Sequence, residues 1–413
     1  MRKHIKVVGV TAYPPTEYNH WGPSALPHSL IKNRPDDIDF TLYTFLPAKD
    51  IEISTLTNQL HKAGIKNAIL LEHWGVKSKS RLKNLVRKKI FKFTFPLRKK
   101  IHSSYASYPV LKSVINEIKD ENPDLIFLYP CNLVNWAKKL SRSFKVVACG
   151  PDCYALTLKR KLSVETGLGS ITQRDRIELK KRESINKKWH STQSHMKLVG
   201  MDDLESFNSY SNNLNLIKCT ASFFKHPLNG NFQNSIDRQK ISSPKKILIY
   251  GSGNLSEQNL ISEITKIISE EKFSNSSSLL VKGENKIEII KAAKHAGITA
   301  EEAPWYDCYE DLLDKVDIQI FPILIGAGTK AKVLSALARG VICIGTKIAF
   351  ENIALDHRES AYFFEDAKQF KEAFQEICSS PNTSLQVAKE GQKIALSQHD
   401  PVKISKQFWE SIS

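Results

Sequence analysis

Residues 317–346 constrain the fold more than any other part of the chain, because they read as strand, turn, helix and strand in direct succession. A short apolar run ends at Pro322, which cannot sit in a central ladder and so marks the end of a strand. The turn at 326–330 contains two glycines, which are free to adopt backbone angles that other residues avoid. Apolar residues then recur at helical spacing over 333–338, and 341–344 predicts the next buried strand.

The turn at 326–330 also has the chemistry of an anion site. A glycine turn that opens a helix presents free backbone N–H groups and the positive end of the helix dipole, and Lys330 adds a full positive charge beside them. An ordinary tight turn followed by a solvated lysine would carry the same residues. The turn alone leaves both interpretations open.

The segment as a whole resembles the nucleotide-sugar site of GT-B glycosyltransferases of the family 4 type (glycosyltransferase group 1), which is lined by a P-x-x-x-G-x-G-T-K-x-K-V-L-x-A-x-A-x-G run. The matching residues here are Pro322, Gly326, Gly328, Thr329, Lys330, Lys332, Val333, Leu334, Ala336, Ala338 and Gly340. The resemblance implies an α/β protein of the GT-B type. Such a protein has two doubly wound parallel-sheet (Rossmann-like) domains facing a cleft, with a C-terminal helix that packs back on the first domain.

Composition is compatible with this architecture. The chain has 413 residues, enough for two domains with cores of their own. Its seven cysteines include no C-x-x-C pair, which favours reduced thiols in a cytoplasmic protein over a disulfide framework. The first apolar stretch is too short for a signal sequence, and no run approaches the roughly 20 apolar residues of a membrane span.

Apolar runs alternate with helical patterns in both halves of the chain, which predicts parallel sheets. Strands are predicted at 5–10, 40–45, 67–71, 125–129, 145–149, 246–250, 279–281, 318–321, 341–344 and 361–364. Residues 223–229 look like the strand that closes the first domain in the resembling family. We therefore predict an acceptor-binding domain at 1–228, a linker at 229–244, a nucleotide-sugar-binding domain at 245–396, and a return to the first domain at about 397–413.

The basic block at 77–100 carries eleven Lys and Arg and no acidic residue, within a chain of formal net charge +17. It could be a solvated loop, a nucleic-acid patch, or a segment that lies on an anionic membrane surface. Interleaved aromatic residues favour the membrane interpretation, with Lys88, Lys89, Phe91 and Phe93 facing the lipid, and no nucleic-acid partner is expected.

In the first domain, the resemblance implies an acidic or histidine residue that faces the acceptor and the donor sugar after the strand at 145–149. Asp152 is our candidate for this catalytic role, and an ordinary turn carboxylate is the alternative. The resemblance also implies a glycine-containing loop at the cleft, for which Gly22 is the nearest match, although Gly22-Pro23 is equally an ordinary turn. His20 lies in the same loop, where a surface histidine is the alternative to a functional one.

In the second domain, a G-x-G pair follows the first strand, but Ser256 replaces the third glycine of a dinucleotide fingerprint, so a mononucleotide half-site is the better prediction. An aromatic residue near 305–306 could stack on a nucleobase or pack in an interface. The predicted donor-binding residues are Gly251, Gly253, Trp305, Tyr306, Gly326, Gly328, Thr329, Lys330 and Ser335.

The chain departs from the family where two glutamates eight residues apart contact the donor sugar and the ribose. Ala327 and Ser335 occupy these positions. The Arg and Lys that many members carry after the first strand of this domain are also absent, since Ser252 and Glu257 stand near those places. Neutralisation of a diphosphate would then rest mainly on Lys330 and the helix N-terminus, with a contribution from Lys332 or Lys282.

The resemblance implies a glycosyltransferase of the hexosyltransferase type that moves a sugar from a nucleotide diphosphate donor to a glycan or polyprenyl-linked acceptor. We expect retention of anomeric configuration, no metal, no cofactor, and a role in bacterial-type surface polysaccharide biosynthesis at the inner face of the cell membrane. Lys330 would stabilise the leaving diphosphate. A catalytically silent GT-B relative acting as a binding or scaffold subunit is the first alternative, and a basic nucleic-acid-binding protein is the second.

Overall fold

The computed structural model describes residues 4–17, 24–46, 53–71, 108–211, 218–230, 238, 240, 245–270, 273, 276–304 and 309–412. Contacts between backbone positions divide the chain into two compact units. The first unit is drawn from Met1–Ala155, Ile177–Pro227 and Pro401–Ser413, and the second from Leu156–Arg176 and Leu228–Asp400.

The described part of the first unit is built on a parallel sheet of seven strands in the order β3-β2-β1-β4-β5-β6-β7. The strands are β1 (Ile5–Thr11), β2 (Ile38–Phe45), β3 (Asn67–Leu71), β4 (Leu125–Tyr129), β5 (Lys145–Gly150), β6 (His195–Leu198) and β7 (Thr220–Phe223). The helices along this part of the chain are α1 (Ala25–Lys32), α2 (Ile53–Lys62), α3 (Lys112–Glu121), α4 (Val134–Leu140), α5 (Tyr154–Glu165), α6 (Gln173–His190) and α7 (Met201–Ser209). Every residue of β4 is buried, as expected for a central strand of a parallel sheet covered on both faces.

The described part of the second unit contains a parallel sheet of six strands in the order β10-β9-β8-β11-β12-β13. Its strands are β8 (Lys245–Gly251), β9 (Ser277–Gly283), β10 (Thr299–Glu302), β11 (Ile318–Phe321), β12 (Ile342–Gly345) and β13 (Tyr362–Phe363). Its helices are α8 (Leu255–Ile268), α9 (Lys286–His295), α10 (Tyr309–Leu313), α11 (Ala331–Ala338), α12 (Ala367–Ser379) and α13 (Pro381–Gln398). Two apolar clusters, one centred on Ile249 and Ile320 and the other on Leu248 and Leu337, bury its helices against the sheet.

Each sheet has one point at which the strand order reverses. In the first unit β1 lies between β2 and β4, and in the second unit β8 lies between β9 and β11. The connections that leave β1 and β4, or β8 and β11, therefore run in opposite directions and leave a crevice at the carboxyl ends of the strands, where open α/β sheets bind ligands. The fold thus predicts one ligand position for each unit.

The C-terminal helix α14 (Pro401–Glu410) packs on the first unit, which confirms the prediction for it. Trp409 is fully buried, and its Nε1–H donates to the carbonyl oxygen of Leu30 at 2.8 Å. The Ser405 hydroxyl donates to the carbonyl oxygen of Ser29 at 3.1 Å. Both acceptors belong to α1, so one helix ties the end of the chain to its beginning.

Two sequence expectations differ from these elements. The closing strand of the first unit is β7 rather than residues 223–229, because its partner β6 ends at Leu198, opposite Phe223. Residues 156–176 were placed with the first domain, whereas their contacts group them with the second unit. The predicted linker at 229–244 falls almost entirely outside the described residues.

We predict that Trp409→Ala lowers the free energy of unfolding of the first unit by about 3–5 kcal/mol, because it leaves a cavity in the core. Trp409→Phe should cost about 1–3 kcal/mol, since it keeps most of the ring but leaves the buried Leu30 carbonyl without its donor. Urea unfolding followed by circular dichroism measures both. Val402→Ala, on the same helix and 58% exposed, is the matched control and should change stability by less than about 0.5 kcal/mol. A cost for Trp409→Ala no larger than this control would contradict the anchoring role of α14.

Candidate functional site

A cavity of about 400 Å³ lies at the strand-order reversal of the second unit, at the carboxyl ends of β8 and β11. Its walls come from these two strands, from α8, from the loop after β11 and from the first turn of α11. The lining residues are Tyr250, Gly251, Ser252, Glu257, Ile261, Ile320, Phe321, Pro322, Ile323, Ile325, Lys330, Ala331, Lys332 and Val333. The cavity therefore contains Gly251 and Lys330 from the predicted donor-binding residues.

The glycine turn places Lys330 at the N-cap of α11, so the helix dipole and the lysine charge lie together at this edge. Gly328 has a φ of 64°, in the left-handed region that favours glycine. At Gly326 a β-carbon would lie 3.3 Å from Cε of Lys330, a close contact to which the lysine side chain would have to adjust. The two glycines thus shape the turn and make room for the lysine side chain.

The ammonium of Lys330 contacts both the glycine turn and a carboxylate. Its ammonium donates to the carbonyl oxygen of Gly328 at 2.7 Å and to Oε2 of Glu351 at 2.9 Å. The lysine and glutamate side chains are both nine-tenths buried, and Glu351 also binds Arg160 of α5. Neither Arg160 nor Glu351 was expected from the sequence, since both come from segments distant in the chain from the glycine turn.

Lys332 supplies a second cation. Although the residue as a whole is exposed, its ammonium lies 3.8 Å from the centroid of the Tyr250 ring. Burial of the ammonium, with a contribution from the Lys282 charge, lowers the pKa of Lys332 to about 8. A cation over an aromatic face is attracted by the ring quadrupole. Lys332 and Lys282, both considered in the sequence as charge-neutralising residues, thus lie close enough to influence each other.

Glu257 stands near a position where many members of the resembling family carry a cation, and its carboxylate makes contacts within the protein. Its Oε1 accepts the backbone N–H groups of Leu324 at 2.8 Å and Ile325 at 2.9 Å. Its Oε2 accepts from Ser252 and Asn254. The side chain therefore braces the loop after β11 against the start of α8, and it puts a negative charge in the cavity wall.

The G-x-G pair after β8 is explained by packing within the protein. A β-carbon at Gly251 would lie 1.8 Å from the carbonyl oxygen of Glu284, and one at Gly253 would lie 2.1 Å from a carboxylate oxygen of the same residue. Glu284 follows β9, so both glycines let the β8 and β9 loops approach each other. Packing within the protein accounts for both glycines, and the pair remains compatible with a mononucleotide half-site.

Two further donor-binding candidates are described but lie apart from the cavity walls. Thr329 is 9% exposed and precedes the N-cap of α11, and Ser335 is 8% exposed in the second turn of that helix. Ala327, at the other position where the family has a glutamate, lies in the turn itself. The two carboxylates of the resembling family are therefore absent from this turn and helix.

Asp152 lies just beyond the carboxyl end of β5 in the first unit, where it was expected. It is half-buried, and Sγ of Cys131 lies 3.9 Å from its carbonyl oxygen. Burial, followed by the Asp152 charge, raises the pKa of the Cys131 thiol well above its usual range, so this thiol stays protonated. The next residue, Cys153, donates its N–H to Oδ1 of Asp203 at 2.6 Å, which fixes the turn.

Several predicted site residues lie outside the described residues. They are His20, Gly22, Lys88, Lys89, Phe91, Phe93, Trp305 and Tyr306. Within the described residues, no group of three His, Cys, Asp or Glu side chains could hold a metal ion. None of the helices described here is long and apolar enough to cross a membrane.

No protein-family model matches the chain, and no curated protein matches it. Its structure is nevertheless similar to solved glycosyltransferase structures over almost its whole length. Sucrose-phosphate synthase from Thermosynechococcus elongatus matches with a TM-score of 0.63 and 11% identity, covering 98% of each chain. HepE of Anabaena, in complex with UDP and glucose, matches with a TM-score of 0.61 and 10% identity, covering 99% of each chain.

A third match is WaaG, a glycosyltransferase involved in lipopolysaccharide biosynthesis, with a TM-score of 0.59 and 12% identity over 98% of this chain and 99% of that chain. Identities this low show a shared fold. Together with the two parallel sheets and their strand orders, they establish the architecture that the sequence resemblance implied. The chain has the GT-B fold, built from two Rossmann-like units.

Proposed function

We propose that the chain is a glycosyltransferase that transfers a sugar from a nucleotide diphosphate-sugar donor to a glycan or lipid-linked acceptor. The observation that carries the proposal is the cavity at the β8–β11 reversal, where the N-terminus of α11, Lys330 and Lys332 put positive charge beside a space of about 400 Å³. A diphosphate is suited to such an edge, and the volume is that of a small-molecule site. The similar fold of HepE, whose structure contains UDP and glucose, supports this ligand class.

In this proposal the chain itself supplies the charge that the reaction needs. As the sugar–phosphate bond breaks, negative charge develops on the leaving diphosphate, and Lys330 with the amides of the 326–329 turn stabilises it. Asp152 of the first unit is proposed to face the acceptor and the donor sugar. The family resemblance implies retention of configuration without a metal ion, with the donor phosphate helping to deprotonate the acceptor hydroxyl.

The setting of the reaction is proposed from the basic block and from WaaG. Residues 77–100 combine cations with phenylalanines, which suits attachment to an anionic inner membrane face where polyprenyl-linked acceptors reside. WaaG, similar in fold, is involved in lipopolysaccharide biosynthesis. We therefore propose a cytoplasmic enzyme of bacterial-type surface polysaccharide biosynthesis that works at this membrane face.

One observation favours the alternative of a catalytically silent binding subunit. The carboxylate of Glu257 accepts hydrogen bonds from two backbone N–H groups of the loop after β11, so a ligand cannot use them. In addition, Ala327 and Ser335 stand where the resembling family has glutamates. A site of this kind could have lost donor turnover while the fold persisted. Ligand binding and turnover separate the two functions.

We predict that one class among UDP-, GDP-, CDP- and dTDP-sugars raises the thermal stability of the wild type and that Lys330→Ala abolishes the effect. A ligand at about 100 times its dissociation constant adds about 2.7 kcal/mol to the native state. Lys393→Ala is the matched control, because Lys393 belongs to the same unit, is 73% exposed and pairs with Glu390 on one helix. It should respond to the sugar nucleotide like the wild type.

The same samples are then assayed for release of the nucleoside diphosphate from the donor. A thermal shift with turnover, both lost in Lys330→Ala, agrees with the enzyme. A shift without turnover indicates the silent binding subunit, and no shift with any sugar nucleotide rejects the donor site.

We also predict that affinity for the sugar nucleotide falls as the pH rises from 7 to 9. Lys332 has a pKa of about 8 in the free protein. A bound anion favours its charged form, so the fully protonated state below pH 8 binds best and affinity declines as the lysine loses its proton. The loss should reach about tenfold by pH 9.

Titration calorimetry at several pH values measures this dependence. Lys332→Arg should flatten the profile, because a guanidinium stays protonated across the range, whereas Lys332→Met should bind weakly at every pH. A profile for Lys332→Arg as steep as that of the wild type would assign the titration to another group.

A further inference from the structure

Glu351 is the carboxylate on which two cations of the second unit converge. Its Oε1 accepts from Nη2 of Arg160 at 2.6 Å, and its Oε2 accepts from Nη1 of Arg160 at 2.9 Å. The same Oε2 accepts from Nζ of Lys330 at 2.9 Å. The side chains of Arg160, Lys330 and Glu351 are 16%, 11% and 11% exposed, so the three charges are largely removed from water.

The cluster places two cations on one carboxylate. Ionised groups that are largely buried depend on close partners, so Arg160 and Lys330 compete for Glu351. Lys330 lines the cavity at the β8–β11 reversal, so an anion bound there would be a further partner for its ammonium. The strength of the Arg160–Glu351 pair therefore affects how firmly Glu351 holds Lys330.

Arg160 decides how much of the Lys330 charge that ligand can use. If Lys330 were the sole counterion of Glu351, a bound anion would have to compete with a buried carboxylate for one ammonium. A bidentate guanidinium is the strongest partner that a carboxylate has among side chains, and it fixes the carboxylate geometry. With Arg160 in place, Glu351 keeps a counterion when the ammonium of Lys330 contacts the ligand.

Arg160 also reaches the backbone of the glycine turn. Its Nη1 donates to the carbonyl oxygen of Gly326 at 2.7 Å. Five residues later, at the end of the same helix α5, the carboxylate of Glu165 accepts the backbone N–H of Ser256 at 3.3 Å and its hydroxyl at 3.2 Å. One helix thus holds both the turn before α11 and the first turn of α8.

We propose that Arg160 is a positioning residue of the nucleotide site: by neutralising Glu351 and holding the Gly326 turn, it leaves the charge of Lys330 to a bound diphosphate. This inference rests on the proposed function, since the anion it serves is the diphosphate of the donor. It adds a requirement that the glycine turn alone does not contain, namely a cation from residues 156–176.

The test is a double-mutant cycle of Arg160→Gln, Glu351→Gln and the double variant, with binding measured by titration calorimetry. Each substitution removes a charge without reversing it. The probes are UDP and inorganic pyrophosphate, which share the diphosphate and differ in the nucleoside. Arg174→Gln is the matched control, because it removes the same charge from an exposed position of the same 156–176 segment. Circular dichroism and melting curves establish that each variant is folded.

Arg160→Gln should weaken binding of the diphosphate by at least about tenfold, because Glu351 then captures Lys330. Glu351→Gln should bind at least as tightly as the wild type, and the double variant should recover to within about threefold of Glu351→Gln. A role of Arg160 confined to packing would leave the double variant as weak as Arg160→Gln. Arg160→Lys, which keeps the charge and loses the fork, should fall between the wild type and Arg160→Gln.

The inference is overturned if Arg160→Gln binds like Arg174→Gln, if the double variant shows no recovery, or if the wild type binds neither probe. Should Arg160→Gln fail to fold, weaker binding by Glu351→Gln than by the wild type overturns the inference equally. If pyrophosphate shows the full pattern and UDP does not bind, the proposed function fails while the role of Arg160 stands.

Discussion

The shared carboxylate of Glu351 is the contact that joins three separate segments of the second unit beside the glycine turn. It follows β12, it receives Lys330 from the start of α11, and it receives Arg160 from α5. Removing either cation alone changes the charge balance of a largely buried cluster, whereas the backbone around it is fixed by the parallel sheet. The geometry of this edge is therefore a property of the fold, whereas the charge around Lys330 depends on which side chains surround it.

The sheet explains why those side chains meet. Because β8 and β11 are neighbours at the point where the strand order reverses, their following loops diverge and leave a crevice at the carboxyl ends of the strands. Glu257 then fixes the loop after β11 through two backbone N–H groups, and Gly251 allows the loop after β9 to approach β8. The crevice is thus shaped by contacts within the protein before any ligand is considered.

Local sequence patterns predicted what local interactions determine. The segment at 317–346 folds as β11, turn, α11 and β12 because its apolar period changes from strand to helix and back, and the resemblance placed the whole fold correctly. Strand β10 was missed because it is a sheet edge, paired to β9 alone, where Glu301 and Glu302 remain exposed. Arg160 could not be predicted, because nothing in its helix indicates that it contacts a turn distant in sequence. Charge pairing across such separations is decided by tertiary structure.

The same contacts show what the departures from the pattern of the resembling family mean for the charge at this edge. Considered one position at a time, a carboxylate at 257 and neutral residues at 327 and 335 suggest a site that lacks the usual donor-binding side chains. The structure shows that two cations of the glycine turn and α11 stay at this edge: Lys332 lies over the Tyr250 ring, and Lys330 shares Glu351 with Arg160. An anion responds to the total charge and to the donors within reach, whichever segments provide them. Neutral residues at 327 and 335 remove negative charge and leave Lys330 and Lys332 in place, so this edge keeps both cations without the glutamates by which the resembling family is recognised.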